Sequence, residues 1–198
     1  PNLLTINQNR GAYYAALAQD SLKPLFDRTV LAQYPPGSIF KTVVGLIALQ
    51  EGVTTPYRSI RCGGGFVNAP GDIRKCHGHP APTNISIALQ YSCNAYFFTL
   101  FKDLVNKYGF RDVENGLDNF YTYLSNFGFG QKLTSEIDYE ATGFIPNSAY
   151  YDNVYKNSPW YATTIVSLGI GQGELSMTTL QMANLASILG NRGFYIQP

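Results

Sequence analysis

The chain has 198 residues, of which 45% are hydrophobic and 14% are charged, and its formal net charge is +1. This length is enough for one domain with a sizeable hydrophobic core. The 14 lysines and arginines are scattered and form no basic stripe that would indicate a nucleic-acid-binding protein. No apolar run reaches the ~18 residues that a membrane-spanning helix needs, so we predict no membrane span in this chain.

The two ends of the sequence suggest that it belongs to a longer protein. It begins PNLLTINQNRG, without an initiator methionine or a signal peptide, and it stops at GFYIQP. We therefore expect further chain on both sides, and a membrane anchor elsewhere in the protein is compatible with this sequence.

The periodicity of apolar residues predicts helices along most of the chain. The first helix is expected over residues 38–50. Residues 53–82 are rich in glycine and proline, which predicts a long loop, and loops of this length usually carry function or a cross-link. Two further helices are expected, one capped by Thr83 or Asn84 and one over residues 94–109.

The second half of the chain is also mainly helical by pattern. A helix is expected over residues 116–128, whereas turn residues predict irregular structure over 130–157. The stretch WYATTIVSLGIGQGEL is expected to begin as a helix and to break at its glycines. Thr178 and Gln181 have the spacing of a capping box, which predicts a final helix with Gly190 past its end. Strand-like alternation is scarce, so the predicted fold class is mostly α.

The stretch PPGSIFK places a serine and a lysine on the first turn of the first predicted helix. Ser38 and Lys41 are three residues apart and therefore lie on one helix face. A serine becomes a nucleophile when a base takes its proton, and a lysine can be that base when burial lowers its pKa. The unpaired N–H groups at the helix start also favour developing negative charge. The alternative interpretation is a serine N-cap followed by a solvated lysine.

A second polar pair lies in the stretch YSCN, between two predicted helices. Ser92 and Asn94 are two residues apart on a short connection, so both side chains can face one cleft. Ser92 is a candidate proton relay, and Asn94 is a candidate for holding a substrate amide. The alternative is a helix break in which both side chains make only local capping bonds.

Together, the two pairs resemble the first two motifs of the penicillin-recognising serine enzymes, S-x-x-K and S-x-N. The segment YPPGSIFKTV resembles the active-serine segment of class B penicillin-binding proteins, the monofunctional peptidoglycan transpeptidases. FDRTV, EIDYEATGFIPN and SLGIGQGELSMTTLQMANLASILGNRG are also similar to that family. The Cys- and His-bearing loop and YSCNAYFF are similar to its elongation-type members. The resemblance extends over residues 20–196.

One departure from the family pattern concerns the third motif. Neither Lys-Thr-Gly nor Lys-Ser-Gly occurs in the chain, and the early strands of the family's central sheet are not recognisable. The resemblance therefore implies the helical portion of the α/β penicillin-binding transpeptidase fold, which is serine β-lactamase-like, with the central sheet largely missing from this chain. Residues 1–198 would form a partial transpeptidase domain. We expect this piece alone to be acylated poorly, because the family's oxyanion hole uses a donor on the missing strand.

The resemblance also implies a mechanism that needs no cofactor. Ser38 would attack the carbonyl between the two terminal D-alanines of a peptidoglycan stem peptide, and Lys41 would take its proton. Ser92 would pass a proton to the leaving D-alanine, and Asn94 would hold the peptide backbone. β-Lactams would mimic the D-Ala-D-Ala end and acylate the serine. The expected location is the periplasmic face of the bacterial inner membrane, with a glycosyltransferase and the elongation machinery as partners.

The predicted loop also contains a group of potential metal ligands, namely Cys62, Asp72, Cys76, His77 and His79. Such residues in a glycine-rich loop can close a tetrahedral structural zinc site, and some elongation-type relatives carry a zinc near the active site. A Cys62–Cys76 disulfide and free thiols are the alternatives, because the family's catalytic domain faces an oxidising compartment.

Cys93, beside the second motif, is expected to be a small packed residue rather than a catalytic thiol. Three other functions remain compatible with parts of the sequence. One is a non-catalytic β-lactam sensor on the same fold. Another is a serine β-lactamase, for which Glu136 and Glu140 would be the available glutamates. The third is a zinc-stapled helical interaction module, which would leave the paired serine motifs unexplained.

Overall fold

A computed structural model describes residues 9–82, 84–134, 136–156 and 158–196 of the chain. Within these ranges the fold is mostly helical, as predicted, and the strands form two small antiparallel sheets. The described ranges contain the α-helices α1 (Arg10–Gln19), α2 (Lys41–Gln50), α3 (Ile85–Gln90), α4 (Asn94–Val105), α5 (Val113–Asn126), α6 (Ser148–Tyr155) and α7 (Thr179–Gly190). The strands are β1 (Gln33–Tyr34), β2 (Gly65–Ala69), β3 (Asp72–Lys75) and β4 (Met177–Thr178), and 3₁₀ helices cover Gly37–Phe40 and Val166–Ile170.

Helix α4 is the centre of the hydrophobic core. Its sequence, NAYFFTLFKDLV, is apolar nearly all round, which is typical of a helix buried on several sides. It packs against α2, α5 and the second 3₁₀ helix. Phe120 of α5 makes edge-to-face contacts with Phe40 and Phe101, at centroid distances of 6.2 and 5.2 Å. Each such phenylalanine contributes about 1.5–3 kcal/mol by burial, so α4 fixes its neighbours firmly.

The predicted loop over residues 53–82 contains a β-hairpin, which corrects the sequence interpretation. Strands β2 and β3 pair antiparallel around a turn at Gly71, where φ is +81°. The hairpin is docked on the helices, because Phe66 packs on Phe98 at 5.5 Å. Buried Asn68 also donates to the Thr163 carbonyl at 3.0 Å. These contacts are distant in sequence, which explains why local composition indicated only a loop.

Other boundaries also differ from the sequence predictions. Helix α6 lies within the segment expected to be irregular, because the side chain of Asn147 accepts a bond from the Tyr150 N–H and caps the helix. Helix α1 was not predicted at all. The stretch from Trp160 is helical only in its 3₁₀ part, Val166–Ile170.

The helix ends predicted from capping residues can also be compared with the structure. The Thr178–Gln181 capping box is confirmed at the start of α7. Gly190 is the last residue of that helix rather than a residue past its end. Asn84 caps α3, as predicted, whereas Thr83 lies outside the described residues.

The second small sheet connects the segment before Ser38 to the start of α7. Its strands β1 and β4 pair antiparallel, with Gln33 opposite Thr178 and Tyr34 opposite Met177. Across the described ranges, every helix is too short or too polar to cross a membrane.

Candidate active site

Ser38 lies in the first 3₁₀ helix, and Lys41 is the first residue of α2. The serine therefore stands on a tight turn that leads into the α-helix, rather than on the α-helix itself. The Gly37 N–H donates to the Gly171 carbonyl at 2.8 Å, which ties this turn to the second 3₁₀ helix. Gly171 has φ +69°, and a Cβ there would lie only 2.3 Å from the Gly37 oxygen. A glycine at 171 is thus needed for the close approach that positions Ser38.

The side chain of Lys41 is buried and makes three hydrogen bonds. Its Nζ donates to the Ser92 carbonyl at 2.7 Å, to Ser92 Oγ at 2.9 Å and to Asn94 Oδ1 at 2.7 Å. These bonds use all three donors of an ammonium group. Burial lowers the pKa of Lys41, although electrostatic interactions with the nearby Cys76 and Cys93 oppose this effect in part. A lowered pKa favours the neutral amine, which is the form that can accept a proton.

Ser92 connects the lysine to the serine of the first motif. Ser92 Oγ donates to Ser38 Oγ at 3.0 Å. In the part of the chain that the structure describes, Lys41 therefore reaches Ser38 through Ser92 and not by a bond of its own. Ser92 has φ +49°, a left-handed conformation that is uncommon for a residue with a side chain. Such strained positions are often found at functional sites.

Asn94 is the first residue of α4 and completes the polar group. Its Oδ1 accepts the bond from Lys41, while its Nδ2 donates to the Lys75 carbonyl of the hairpin at 3.4 Å. The backbone N–H of Asn94 donates to Cys76 Sγ at 3.2 Å. The second motif is therefore held by α2 on one side and by the hairpin segment on the other.

Three of these four residues line a cleft of about 340 Å³, whereas the fourth, Lys41, is buried. A larger cavity, of about 500 Å³, is lined by Trp160 and Tyr161 among others and contains none of the four. The residues that line the cleft are Ser38, Arg74, Lys75, His77, Ser92, Asn94, Phe98, Ser167, Ile170 and Gln172.

A cluster of thiols and one imidazole lies directly behind the second motif. One ligand atom from each of Cys62, Cys76, His79 and Cys93 lies within 4.8 Å of the others, and Cys76 Sγ is 3.3 Å from His79 Nε2. Zinc with Zn–S bonds of about 2.3 Å in a tetrahedron needs sulfurs about 3.8 Å apart, so the cluster has the right size. Three cysteines and one histidine also form a common structural zinc set.

Two residues of the sequence-predicted ligand set lie outside this cluster. The Asp72 carboxylate instead accepts bonds from Asn68 at 2.8 Å and from Arg74 at 3.1 Å. The His77 ring lies 2.7 Å from the Tyr91 carbonyl through Nε2. Cys93, which we expected to be only a packed residue, is buried and takes their place. The position of this third cysteine next to Ser92 is the feature of the sequence that could have indicated its place in the cluster.

The three cysteines are free thiols in the structure, so the Cys62–Cys76 disulfide is not formed. Burial raises the pKa of Cys93 to about 12. At Cys76, burial acts in the same direction, but hydrogen bonds from the Ala95 and Asn94 backbone and from His79 outweigh it and bring the pKa to about 6. A lowered pKa of the Cys76 thiol favours the thiolate, which is the form that binds a metal.

A serine that is hydrogen-bonded through a second hydroxyl to a buried lysine, with an asparagine beside it, has an arrangement that can activate a serine as a nucleophile. The match with the family described as "Penicillin binding protein transpeptidase domain" covers residues 3–198. The chain belongs to this family, and the resemblance drawn from its motifs is confirmed.

Similar proteins of known name agree with this assignment. The chain is 30% identical over 203 residues to the peptidoglycan D,D-transpeptidase MrdA of Acinetobacter baumannii, covering 100% of this chain and 28% of that protein. It is 32% identical over 184 residues to MrdA of Haemophilus influenzae, and this match covers 91% of this chain and 26% of that protein. The chain therefore spans about a quarter of the length of the curated relatives that it matches.

Solved structures show the same relationship. Pseudomonas aeruginosa PBP2, in complex with WCK 5153, matches with a TM-score of 0.79 and 29% identity over 94% of this chain and 40% of that one. A chain of a peptidoglycan synthase complex matches with a TM-score of 0.74 and 27% identity, and this match covers 91% of this chain and 29% of that one.

Proposed function

We propose that the protein containing this chain is a peptidoglycan D,D-transpeptidase that cross-links stem peptides through an acyl-enzyme on Ser38 and that β-lactams acylate. The observation that carries this proposal is the bonded series from Lys41 through Ser92 to Ser38. The names of the relatives support the same reaction.

The reaction begins with neutral Lys41. Ser38 Oγ attacks the carbonyl between the terminal D-alanines while its proton passes to Ser92 Oγ and the Ser92 proton passes to Lys41 Nζ. The same relay then returns a proton to the D-alanine nitrogen as the C–N bond breaks. In the second half, an amine of another stem peptide attacks the acyl-serine, its proton passes through Lys41 and Ser92 to Ser38 Oγ, and the ester C–O bond breaks to release Ser38. These steps balance without a cofactor.

Asn94 suits a role in holding the donor peptide. Its Oδ1 is occupied by Lys41, which fixes the orientation of the amide. Its Nδ2 makes only a long bond of 3.4 Å to the Lys75 carbonyl, so it remains able to donate to a substrate carbonyl. The Ser38 N–H at the start of the helical turn supplies one donor for the oxyanion.

We further propose that Cys62, Cys76, His79 and Cys93 hold a structural zinc ion. The metal would join the hairpin to the N-terminus of α4, where the Asn94 and Tyr96 N–H groups already donate to the Cys76 and Cys93 sulfurs. It would supply rigidity to the second motif rather than chemistry at the carbonyl.

The location and partners follow from the proposed reaction and from one structural relative. Cross-linking occurs outside the cytoplasm, so we place the protein at the periplasmic face of the inner membrane. The structural relative at 27% identity belongs to a complex that coordinates polymerization and crosslinking. A glycosyltransferase of the elongation machinery is therefore the partner that we propose.

The positions of Glu136 and Glu140 disfavour the serine β-lactamase alternative. The Glu140 carboxylate is buried and accepts bonds from the Leu133 and Thr134 N–H groups at 2.8 and 2.9 Å. Glu136 is exposed, and neither residue lines the cleft. A deacylating water would thus lack a carboxylate base from these positions.

The test uses the full-length protein and its Ser38→Ala variant. Fluorescent penicillin should label the first and not the second, and only the first should release D-alanine from a stem peptide and form cross-links. Labelling without cross-linking, in the presence of the polymerising partner, would indicate a β-lactam sensor instead.

A further inference from the structure

The wall of the catalytic cleft contributed by the hairpin is cationic. Arg74 and Lys75, at the end of β3, line the same cleft as Ser38 and Asn94. His77 follows them, and among the residues that the structure describes no aspartate or glutamate lines the cleft. This segment was expected from the sequence only to supply metal ligands, and neither of these two cations takes part in the proposed reaction.

Within this cationic wall, the side chain of Arg74 is oriented by a hydrogen bond. Asp72 Oδ2 accepts bonds from Asn68 at 2.8 Å and from Arg74 at 3.1 Å, and Asn68 in turn bonds to the Thr163 carbonyl. A guanidinium has five donors, so one bond to Asp72 orients Arg74 and leaves most of its donors free. The side chain of Arg74 is 43% exposed, which makes those donors accessible to a ligand.

The position of the wall indicates which part of a substrate it would meet. The Lys75 carbonyl accepts the bond from Asn94 Nδ2, so β3 runs beside the residue that is proposed to hold the backbone amide of the donor peptide. A group that branches from the donor peptide near that amide would therefore lie against β3. An amide formed through the side-chain carboxyl of an acidic residue leaves the α-carboxylate of that residue free, so a stem peptide with such a link carries a free carboxylate on a branch.

We propose that Arg74 and Lys75 form a specificity site for a free branch carboxylate on the donor stem peptide, distinct from its C-terminal carboxylate. This inference rests on the proposed transpeptidase function and deepens it. An arginine matches a carboxylate by paired donors, and a neighbouring lysine adds charge. Amidation of the branch carboxylate removes the negative charge and would weaken recognition.

The experiment measures D-alanine release by the full-length protein from three synthetic donor peptides. The first has a free branch carboxylate, the second has a branch carboxamide, and the third has a free branch carboxylate but a C-terminal methyl ester. A hydrogen bond to a charged group justifies an expected preference of about tenfold in kcat/KM for the first peptide over the second. In the double variant Arg74→Gln/Lys75→Gln, the ratio of kcat/KM for the first peptide to that for the second should fall to near unity. The ratio of kcat/KM for the first peptide to that for the third should not change.

Three further variants separate recognition from folding. Lys75→Gln removes a side chain for which the described structure records no hydrogen bond, and it should lose part of the preference with the hairpin intact. The double variant Arg74→Lys/Lys75→Arg keeps both charges and should retain most of the preference for the carboxylate peptide over the carboxamide peptide. Arg111→Gln, in the separate cavity near Trp160, should retain all of it. The preference should also weaken as salt concentration rises.

Two results would overturn the inference. One is an unchanged carboxylate-to-carboxamide ratio in both Lys75→Gln and the double variant. The other is a change confined to the ratio that involves the methyl ester, which would assign the cations to the C-terminal carboxylate. Penicillin labelling is followed in parallel. Loss of labelling in the unmodified protein would refute the proposed function, whereas normal labelling with an unchanged ratio would refute only this specificity site.

Discussion

Lys41 holds Ser92 in a left-handed backbone conformation by donating to both its carbonyl and its hydroxyl, at 2.7 and 2.9 Å. The conformation turns the chain between α3 and α4 so that Ser92 Oγ reaches Ser38 Oγ. The residue with the relay hydroxyl is therefore also the residue that carries the backbone strain. Substitutions at Ser92 can separate these two properties.

The first prediction compares Ser92→Gly with Ser92→Ala. Both variants lose the bonds of the hydroxyl, but glycine adopts a positive φ freely whereas alanine keeps the strain, so Ser92→Gly should be the more stable variant by about 1 kcal/mol. Both variants lose the relay and should be acylated by penicillin about 10²–10⁴-fold more slowly than the unmodified protein. Denaturant unfolding and acylation kinetics measure the two effects.

Ser187, an exposed residue of helix α7, supplies the control for the order of stability. Because glycine destabilises a helix interior, Ser187→Gly should be less stable than Ser187→Ala by about 1 kcal/mol, the opposite order. Equal stability of the two Ser92 variants would argue against strain at this position.

The second prediction concerns the pH dependence of acylation. Burial lowers the pKa of Lys41 below its ordinary value of 10.5, and only the neutral amine can accept the proton from Ser92. The acylation rate should therefore rise with pH and level off above a midpoint that lies below 10.5. Lys41→Met should abolish the rising limb, whereas Lys132→Met, outside the cleft, should leave the profile unchanged. A midpoint at or above the ordinary lysine value would contradict the role of burial.

The two serine motifs could be predicted from sequence because each lies within a few residues and resembles a known family. The structure adds what neither spacing could show, namely that Lys41 reaches Ser38 through Ser92. The hairpin was missed because its stability comes from contacts between distant residues, such as Asn68 with Thr163. The thiol cluster was only partly predicted for the same reason, since its ligands come from three separate segments.

The third prediction distinguishes the ligand set seen in the structure, which includes Cys93, from the set predicted from the sequence, which includes Asp72 and His77. Zinc analysis of the protein purified without added metal should give about one ion per chain, since four suitable ligands converge. Cys62→Ala and Cys93→Ala should each lower this content strongly. Asp72→Asn and His77→Gln should leave it unchanged, because both side chains lie outside the cluster.

Removal of the proposed zinc by a chelator should expose titratable thiols and slow acylation by penicillin, because the cluster holds the segment that carries Ser92 and Asn94. Intact mass under non-reducing conditions provides the opposing outcome. A deficit of two hydrogens without metal would assign the cysteines to a disulfide instead.

The last prediction compares two glutamates that the β-lactamase alternative would require. In Glu140→Gln, one carboxylate oxygen becomes an amide nitrogen that faces a backbone N–H of residue 133 or 134, so a buried donor is left unsatisfied. The free energy of unfolding should fall by about 1–3 kcal/mol. Glu136→Gln is exposed and should change it by less than about 0.5 kcal/mol. In both variants the penicilloyl-enzyme should persist as long as in the unmodified protein, because neither carboxylate lines the cleft. Mass spectrometry of the acylated protein over time measures that lifetime, and a markedly longer one in either variant would show that the glutamate assists hydrolysis and would favour a β-lactamase.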